Sequence, residues 1–560
     1  MNFKNYHLLL LAVFSGVLLS LAWTQWSMGI VLFIGFIPLL FIEDHLDRNR
    51  HIYRSVRMFL YSYLAFFTWN LISTWWIYHA SPAGMAMAVI CNSLFMAIVF
   101  WIFHISKRKL GPRLGYFGLL VFWLAFEHIH LRWELSWPWL ILGNGFANNI
   151  RLIQWYEYTG ALGGSLWALT VNIAIFALFR QYVLNNNKRA KRLQMILLVA
   201  VIAIPLLISY IQFYSYEEKK APYNVVAIQP NIDPYNEKFG GLSPMQQLNI
   251  ILTLADTAVD NTTDFLVAPE TSLDYPSMWE KYDSRTGRTS ITRSHIPEDT
   301  IEADRILMIK RFLEDHGKIN FVFGMSSRKM YEQGEPVPSS ARKFMDADIY
   351  YDAYNTAVLI DKTFSAQLYH KSKLVLGVEK MPFKETLSFL DDFAIDLGGT
   401  TKTLGIQEDR ATLKPVGDTL QIGTLICYES VFGQFVTGFI KNGAHIIFVI
   451  TNDGWWRDTP GYRQHLSYSC LRAIETRRSI ARSANTGISC FINQRGEIIK
   501  PTDWWVPTVI KETINANDKI TFYVVFGDFI GRISCFLAVF VLLYTIVKGL
   551  MPGNKVGSQQ

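Results

Sequence analysis

TLICYESVF, residues 424–432, sets a thiol at the end of an apolar run and follows it at once with a tyrosine and a glutamate. Leu425-Ile426 reads as the close of a buried strand, with Cys427 at its mouth. The chain holds five cysteines in 560 residues, in no zinc-type spacing and no disulfide framework. Two readings of Cys427 stand open on this stretch alone. Free cysteine is among the most buried residue types, so it packs a core; or it is a nucleophile presented where a strand ends. Cys91 and Cys535 lie inside long apolar runs and read as packing residues.

The sequence around this stretch alternates between strand and helix patterns. Short apolar or alternating runs occur at 223–229, 264–268, 320–324, 354–360, 420–426, 445–450, 488–493 and 519–525. Helical periodicity falls between them, at about 243–260, 301–316, 431–441 and 462–478. Strands interleaved with helices predict a layered α/β domain over 214–523, long enough to bury a core of its own. The polar stretches 277–300 and 328–348 read as exposed loops, and 384–412 is also long.

The flanks are of another kind. Only 18% of the chain is charged and 51% is hydrophobic, against about 25% charged in an ordinary soluble domain, so part of it belongs in lipid. Seven apolar stretches of spanning length fill the first 213 residues, at about 7–23, 28–43, 58–78, 85–105, 114–131, 166–184 and 193–213. An eighth lies at about 524–547. Because six more spans follow the first, it reads as a retained anchor rather than a cleaved signal peptide. Arg48, Arg50, Arg54 and Arg57 crowd one loop, Lys107, Arg108, Lys109 and Arg113 a second, and Lys188, Arg189, Lys191 and Arg192 a third. The alternate loops are nearly free of such charge, holding only Arg132 and Arg151. Basic loops face the cytoplasm, which puts both termini inside and 214–523 on the outer face. The net charge of +7 sits in these loops and forms no basic stripe, which argues against nucleic acid as partner.

Three strand ends now compare. Phe265-Leu266-Val267-Ala268-Pro269-Glu270 sets a carboxylate just off an apolar run, where it reads as a loop acid or as a general base. Tyr369-His370-Lys371-Ser372-Lys373-Leu374-Val375 sets lysines in an apolar context, read as edge-strand charges or as an oxyanion partner. Cys427 is the third. Together, and in this order, they resemble the Glu-Lys-Cys triad of the nitrilase, or carbon–nitrogen hydrolase, superfamily. Glu379, eight residues beyond Lys371, matches that superfamily's second glutamate. The spans narrow the resemblance to its membrane branch, the apolipoprotein N-acyltransferases, over nearly the whole chain. Ser136-Trp137-Pro138-Trp139, Gln229-Pro230-Asn231-Ile232, Asn355, Thr451-Asn452-Asp453-Gly454-Trp455-Trp456, Arg472-Ala473 with Glu475 and Arg478, and Ser483-Ala484-Asn485-Thr486-Gly487 match other elements of that family. Leu376-Gly377-Val378 departs from the usual Pro-Phe-Gly before the second glutamate, and Phe239 stands where tryptophan is common.

The resemblance implies a fold and a reaction. The fold is a multi-span α-helical membrane domain of about eight transmembrane helices, seven N-terminal (1–213) and one C-terminal (524–560), carrying an inserted extracytoplasmic α/β domain (214–523) of the nitrilase-like αββα sandwich type. The reaction is ping-pong acyl transfer through a Cys427 thioester, with Glu270 as base and Lys371 holding the oxyanion beside the N–H of Tyr428. Glu379 either orients Lys371 or shares the base role. Glu429 either lines the pocket or is a solvated strand-end acid. Trp137, Trp139, Phe239, Trp455 and Trp456 are candidates for the substrate entrance, set against roles as membrane-belt or core aromatics; His370 and His465 read as structural. The donor implied is a phospholipid, phosphatidylethanolamine at sn-1, and the acceptors are diacylated apolipoproteins at the bacterial inner membrane. No cofactor or metal is implied, and a monomer is expected. The competing readings are a membrane-anchored nitrilase-type amidase, in which water replaces the amine, and a transporter with a decayed enzyme domain. Eight spans exceed what an anchor needs, and the spans hold scarcely an ionisable residue at their middles.

Overall fold

The structure, a computed structural model, describes residues 4–551 apart from 185–187, 239, 274–277, 284–287, 294–299, 318, 333, 344–349, 362, 364 and 381–402. It divides into two compact units: residues up to Trp75, Met85–Gln212 and Asp528 onward form the first, and Trp76–Gly84 with Phe213–Gly527 form the second.

Helices dominate the first unit: α1 (Asn5–Ser20), α2 (Ile37–Arg48), α3 (Val56–Thr74), α4 (Pro82–Leu110), α5 (Pro112–His130), the single turn α6 (Tyr156–Thr159), α7 (Ala161–Leu184), α8 (Lys188–Ser215) and a C-terminal helix, Phe529–Leu550. Among the described residues six segments are long and apolar enough to cross a membrane: Asn5–Trp23, Gly29–Arg48, Pro82–Leu110, Ala161–Tyr182, Lys191–Ser215 and Phe529–Leu550. Helices α3 and α5 lie where the other two spans are expected, each 19 residues long, but Ser, Thr, Asn, Tyr and Trp in α3 and Arg113 and Glu127 in α5 dilute their apolarity. The second expected span is broken. A 3₁₀ turn, Gly29–Phe33, precedes α2, whose first turn holds Pro38, as proline's fixed φ favours a helix start.

Close packing holds this unit together. A Cβ on Gly16 of α1 would lie 2.3 Å from the Ala65 carbonyl of α3, the small-residue contact by which apolar helices approach when the hydrophobic effect offers little. Phe36, Phe66 and Trp123 form a ring cluster, with centroids 5.0 and 5.3 Å from Trp123. Ionisable groups gather near helix ends: Glu43 of α2 bonds His104 Nδ1 at 2.9 Å and pairs closely with Lys107, both on α4.

The second unit carries fourteen strands among its described residues. They are β1 (Pro222–Gln229), β2 (Phe265–Val267), β3 (Met278–Asp283), β4 (Arg288–Arg293), β5 (Asn320–Tyr331), β6 (Arg342–Lys343), β7 (Tyr350–Ile360), β8 (Ala366–His370), β9 (Ile422–Ile426), β10 (Ile446–Thr451), β11 (Ile480–Ala484), β12 (Cys490–Ile492), β13 (Ile498–Ile499) and β14 (Thr508–Asn515). Nine form one sheet along the path β14-β1-β2-β5-β3-β4, with β7 joining β5 to β6 and β8; five form the other, β13-β12-β11-β10-β9. The sheets face each other: Phe265 of β2 meets Phe448 of β10 edge-on at 5.5 Å, and Ser483 Oγ donates to the Ile228 carbonyl. Helices α9 (Pro244–Asp256) and α10 (Thr300–Asp315) cover the larger sheet, with Leu248, Ile251 and Leu313 in its core. Helices α11 (Gly433–Lys441), α12 (Pro460–Thr476) and α13 (Phe522–Phe526) complete the unit.

Three expectations need correction. The run 519–525 is no strand: Thr521 caps α13 by accepting from Val524 N, and Gly527 ends it at φ 55°. The stretch 277–300 carries strands β3 and β4, and β5 runs on through Tyr331 into the expected loop 328–348. Residues 381–402, and so most of the expected loop 384–412, lie outside the described residues.

Candidate active site

Parallel strands bring the site residues to one level. β9 and β10 pair in register, Ile426 opposite Ile450, so Cys427, just past β9, stands beside Thr451, the last residue of β10. Every residue of β9 and β10 is buried, as strands covered on both faces must be. In the other sheet β2 ends at Val267 and the chain turns through Ala268-Pro269 to Glu270; β8 ends at His370, and Lys371 N donates to the Asn355 carbonyl of β7. Ligand sites collect at the carboxyl ends of parallel strands. Glu270 and Cys427 both stand there.

The charged core of the site is three residues and a bridging amide. Lys371 Nζ lies 3.1 Å from Glu270 Oε1 and 2.8 Å from Glu379 Oε1. Asn355 Nδ2 donates to the same two oxygens, at 2.7 and 3.2 Å. Glu270 Oε2 accepts from Asn452 N at 3.2 Å, and Glu379 Oε2 from Val375 N at 2.8 Å. Lys371 is 1% exposed. Burial alone would push its ammonium down, but the Glu270 and Glu379 carboxylates, helped by Cys427, outweigh that and hold it well above the usual lysine range. Burial pushes the Cys427 thiol up, and Glu270 adds to the rise; Lys371 pulls the other way without cancelling it. Both shifts favour a thiol and an ammonium at rest, with Glu270 electrostatically coupled to Cys427.

Cys427 has φ 51°, a left-handed conformation that an L-residue adopts at a cost of about 1–3 kcal/mol. The turn Cys427–Val431 that follows is a 3₁₀ helix, whose first amides are open to a developing anion. Tyr428 is buried beside the thiol.

Glu429 is fully buried and belongs to neither reading offered from the sequence. Oε1 accepts from Tyr369 Oη and Ser372 N, both at 2.7 Å, and Oε2 from Ile426 N at 2.9 Å. It staples the end of the lysine strand to the end of the cysteine strand. Burial raises its carboxyl to about 7 against the pull of these donors.

Several further residues, named from the sequence without a role in the site or not named at all, take part in it. Asn355 is the bridge between the two carboxylates. Lys238, buried, donates to the Glu270 carbonyl at 3.1 Å. His465, read as structural, is tied to the backbone behind the thiol: Nε2 is 3.0 Å from the Cys427 carbonyl and 2.9 Å from Ser430 Oγ, and Nδ1 is 2.9 Å from Asp453 Oδ1. Asp453 Oδ2 in turn accepts from Arg482 at 2.6 Å. Cys427, Asp453 and His465 bring ligand-type atoms within 4.8 Å of one another, but Asp453 and His465 already spend theirs on these bonds. His370 bonds Thr356 Oγ1 at 2.8 Å.

Of the entrance candidates, Trp455 packs on Tyr235 with centroids 5.5 Å apart, and Trp456 meets Trp76 at 4.8 Å and His465 at 5.6 Å. Both are half-buried beside the Asn452-Asp453 turn. Trp137 and Trp139 belong to the first unit, where Trp139 is buried. Phe239 lies outside the described residues.

Comparison with known proteins gives two family matches. Residues 227–520 match the carbon-nitrogen hydrolase family, and residues 15–174 match the apolipoprotein N-acyltransferase N-terminal domain. The chain is 28% identical over 553 residues to the apolipoprotein N-acyltransferase of Chlorobaculum tepidum, covering 96% of each chain. It is 24% identical to that of Thermotoga maritima, covering 97% of this chain and 94% of the relative. Among solved structures, Saccharomyces cerevisiae Nit3, a member of branch 10 of the nitrilase superfamily, is 14% identical with a TM-score of 0.36, over 53% of this chain and 93% of that one.

Proposed function

Since the chain belongs to the carbon-nitrogen hydrolase family, we propose that it carries out apolipoprotein N-acylation through a Cys427 thioester. The observation that carries this reading is the buried constellation itself: an ammonium bonded to two carboxylates at 3.1 and 2.8 Å and coupled to a thiol at a left-handed strand end. A membrane hydrolase would use the same groups. The match of residues 15–174 to the N-acyltransferase N-terminal domain favours transfer.

In the first half-reaction Glu270 takes the Cys427 proton as sulfur attacks the ester carbonyl of a phospholipid. The carbonyl oxygen becomes an oxyanion held by Lys371 and the Tyr428 N–H, one such donor being worth about 10²–10³ in rate. The ester C–O bond breaks, Glu270 returns the proton to the leaving alkoxide, and lysophospholipid departs from the thioester. In the second, the α-amine of a diacylglyceryl-cysteine attacks the thioester, Glu270 accepts the amine proton, and the amide forms as Cys427 leaves and is reprotonated. Glu379 fixes Lys371 between two carboxylates, leaving Glu270 as the base. Phosphatidylethanolamine is the donor, diacylated apolipoproteins are the acceptors, and the chain acts as a monomer.

Both substrates keep their acyl chains in lipid, because each buried methylene is worth about 0.8 kcal/mol. The reading therefore places eight helices across the bacterial inner membrane, the α/β unit on its outer face and both termini in the cytoplasm. The basic loops around Arg48, Lys107 and Lys188 support that orientation.

The test is intact mass after incubation with phosphatidylethanolamine, with Cys427→Ser as control. A hydroxylamine-labile acyl adduct, stable in water and discharged by a diacylglyceryl peptide, is the expected result. Rapid discharge by water would assign a hydrolase, and the absence of any adduct would return Cys427 to core packing.

A further inference from the structure

Behind the nucleophile lies a buried chain of side chains that the acyl-transfer chemistry does not itself call for. Arg482 donates to Asp453 Oδ2 at 2.6 Å, Thr451 Oγ1 donates to Asp453 Oδ1 at 2.8 Å, and Asp453 Oδ1 faces His465 Nδ1 at 2.9 Å. Asp453, His465 and Arg482 are fully buried. Despite that burial, Arg482 and His465 hold the Asp453 carboxyl down, at about 2. The ring is fixed a second way, edge-on to Trp456.

The far nitrogen is aimed at the backbone rather than at the thiol. A carbonyl oxygen only accepts; with the Nδ1 proton given to Asp453, the ring carrying both protons donates from Nε2 to the Cys427 carbonyl, 3.0 Å away, and Ser430 Oγ stands 2.9 Å from the same nitrogen. Ser430 Oγ donates to the same oxygen at 2.8 Å. That carbonyl belongs to the peptide bond whose other end is the Tyr428 N–H. A trans peptide is planar, so its C=O and N–H point to opposite sides. Fixing the carbonyl in the protein interior fixes the direction of the N–H, and withdrawing electrons from the carbonyl strengthens that N–H as a donor, by about 10–30% per hydrogen bond in a polarised chain.

We propose that His465, braced by Asp453 and Arg482, is a positioning residue that aims and polarises the Tyr428 N–H of the oxyanion hole through the Cys427 carbonyl. The inference rests on the acyl-transfer reading of Cys427. It separates His465 from a direct partner of the thiol, because an oxyanion develops only during acyl transfer, whereas alkylation of Cys427 needs the thiolate alone.

The experiment uses purified full-length protein in detergent: wild type, His465→Phe, His465→Gln and Ser430→Ala. Each is assayed for acyl transfer from phosphatidylethanolamine to a diacylglyceryl peptide and for iodoacetamide alkylation of Cys427 across pH. His465→Phe is expected to lower kcat by about 10²-fold, the scale of one oxyanion donor, with KM and the alkylation profile unchanged. His465→Gln, whose amide nitrogen reaches the same carbonyl, recovers most of the loss, and Ser430→Ala loses less than His465→Phe. Should His465→Phe not fold, the Gln and Ser430→Ala pair carries the same comparison. An alkylation profile that moves in step with transfer, an equal loss in Gln and Phe, or transfer untouched in these variants overturns the inference while leaving the acyl-transfer reading standing. A wild type that forms no acyl-enzyme overturns that reading, and the inference falls with it.

Discussion

Glu270 raises the proton affinity of the thiol it serves, so neutralising it has two opposite consequences. Glu270→Gln is expected to lower acyl transfer by about 10²–10⁴-fold, the contribution of a positioned base. The same change moves the pH profile of Cys427 alkylation downward, because a charge opposing the thiolate is gone. Lys371→Gln moves the profile upward, since Lys371 stabilises the thiolate. Alkylation followed by mass against pH reads both signs in one series. Glu429 is testable through stability. Its folded carboxyl titrates at about 7 against an ordinary 4.5, so between these values the folded state holds a proton the unfolded chain has released. Stability linked to this group is present below about pH 4.5, is lost as pH rises towards 7, and changes no further above. Thermal unfolding in detergent is expected to fall more steeply from pH 5 to 7.5 in wild type than in Glu429→Gln. At this scale the apolar runs before Glu270 and Cys427 left two readings open for each, and the resemblance to the carbon–nitrogen hydrolases is what joined them with Lys371 and Glu379 into one expected set. Asn355 was named there only as a family match and His465 only as structural. Their importance lies in what they bond, and a neutral amide within a strand or an imidazole on a helix carries no such signal until the fold supplies its partner.

Elements were legible where one face or both faces are uniformly apolar. β9 and β10 are continuous apolar runs and stand where the sequence puts them. β11 was missed because Arg482 and Ser483 interrupt Ile480-Ala481 with polar side chains, and these are the residues that reach Asp453 and the opposite sheet. A strand that departs from its expected pattern at a functional contact is an ordinary place for sequence reasoning to fail. The run 519–525 erred the other way: β-branched and aromatic residues suggested a strand, and a threonine cap with a left-handed glycine made a helical turn. In the first unit the join between α2 and α4 is an ionic one. Glu43 and Lys107 are both essentially inaccessible, and His104 shares the same carboxylate. Removing one partner of a buried pair strands the other at a cost of about 3–5 kcal/mol. Glu43→Ala is therefore expected to lower the thermal midpoint by several degrees, while acyl transfer per folded molecule stays near wild type. A Glu43→Ala chain that unfolds like wild type would show that Lys107 finds another partner.

Across the whole molecule, charge distribution carries an orientation that no single helix encodes. Arg48, Arg50, Arg54 and Arg57 lie between the second and third apolar stretches, and Lys188, Arg189, Lys191 and Arg192 between the sixth and seventh. Moving such loops outward opposes the positive-inside bias, so both belong on one side of the bilayer. An odd number of spans precedes the α/β unit under the proposed eight-helix arrangement, which puts that unit on the other. The span count turns on α3 and α5, which are less apolar than the six helices that qualify by composition. If either failed to cross, the α/β unit and the C-terminus would change sides. Two exposed positions distinguish the cases, His51 in the first basic loop and Ser339 in the α/β unit. In a background where Cys91 and Cys535 are replaced by alanine, Ser339→Cys is expected to react with a membrane-impermeant maleimide in intact spheroplasts. His51→Cys is expected to react only after the membrane is opened. Labelling of both from outside, or of neither, would mean that one of the two less apolar helices does not span. Labelling of neither would put the α/β unit inside, where the thioester chemistry would have to reach its lipid from the cytoplasmic leaflet.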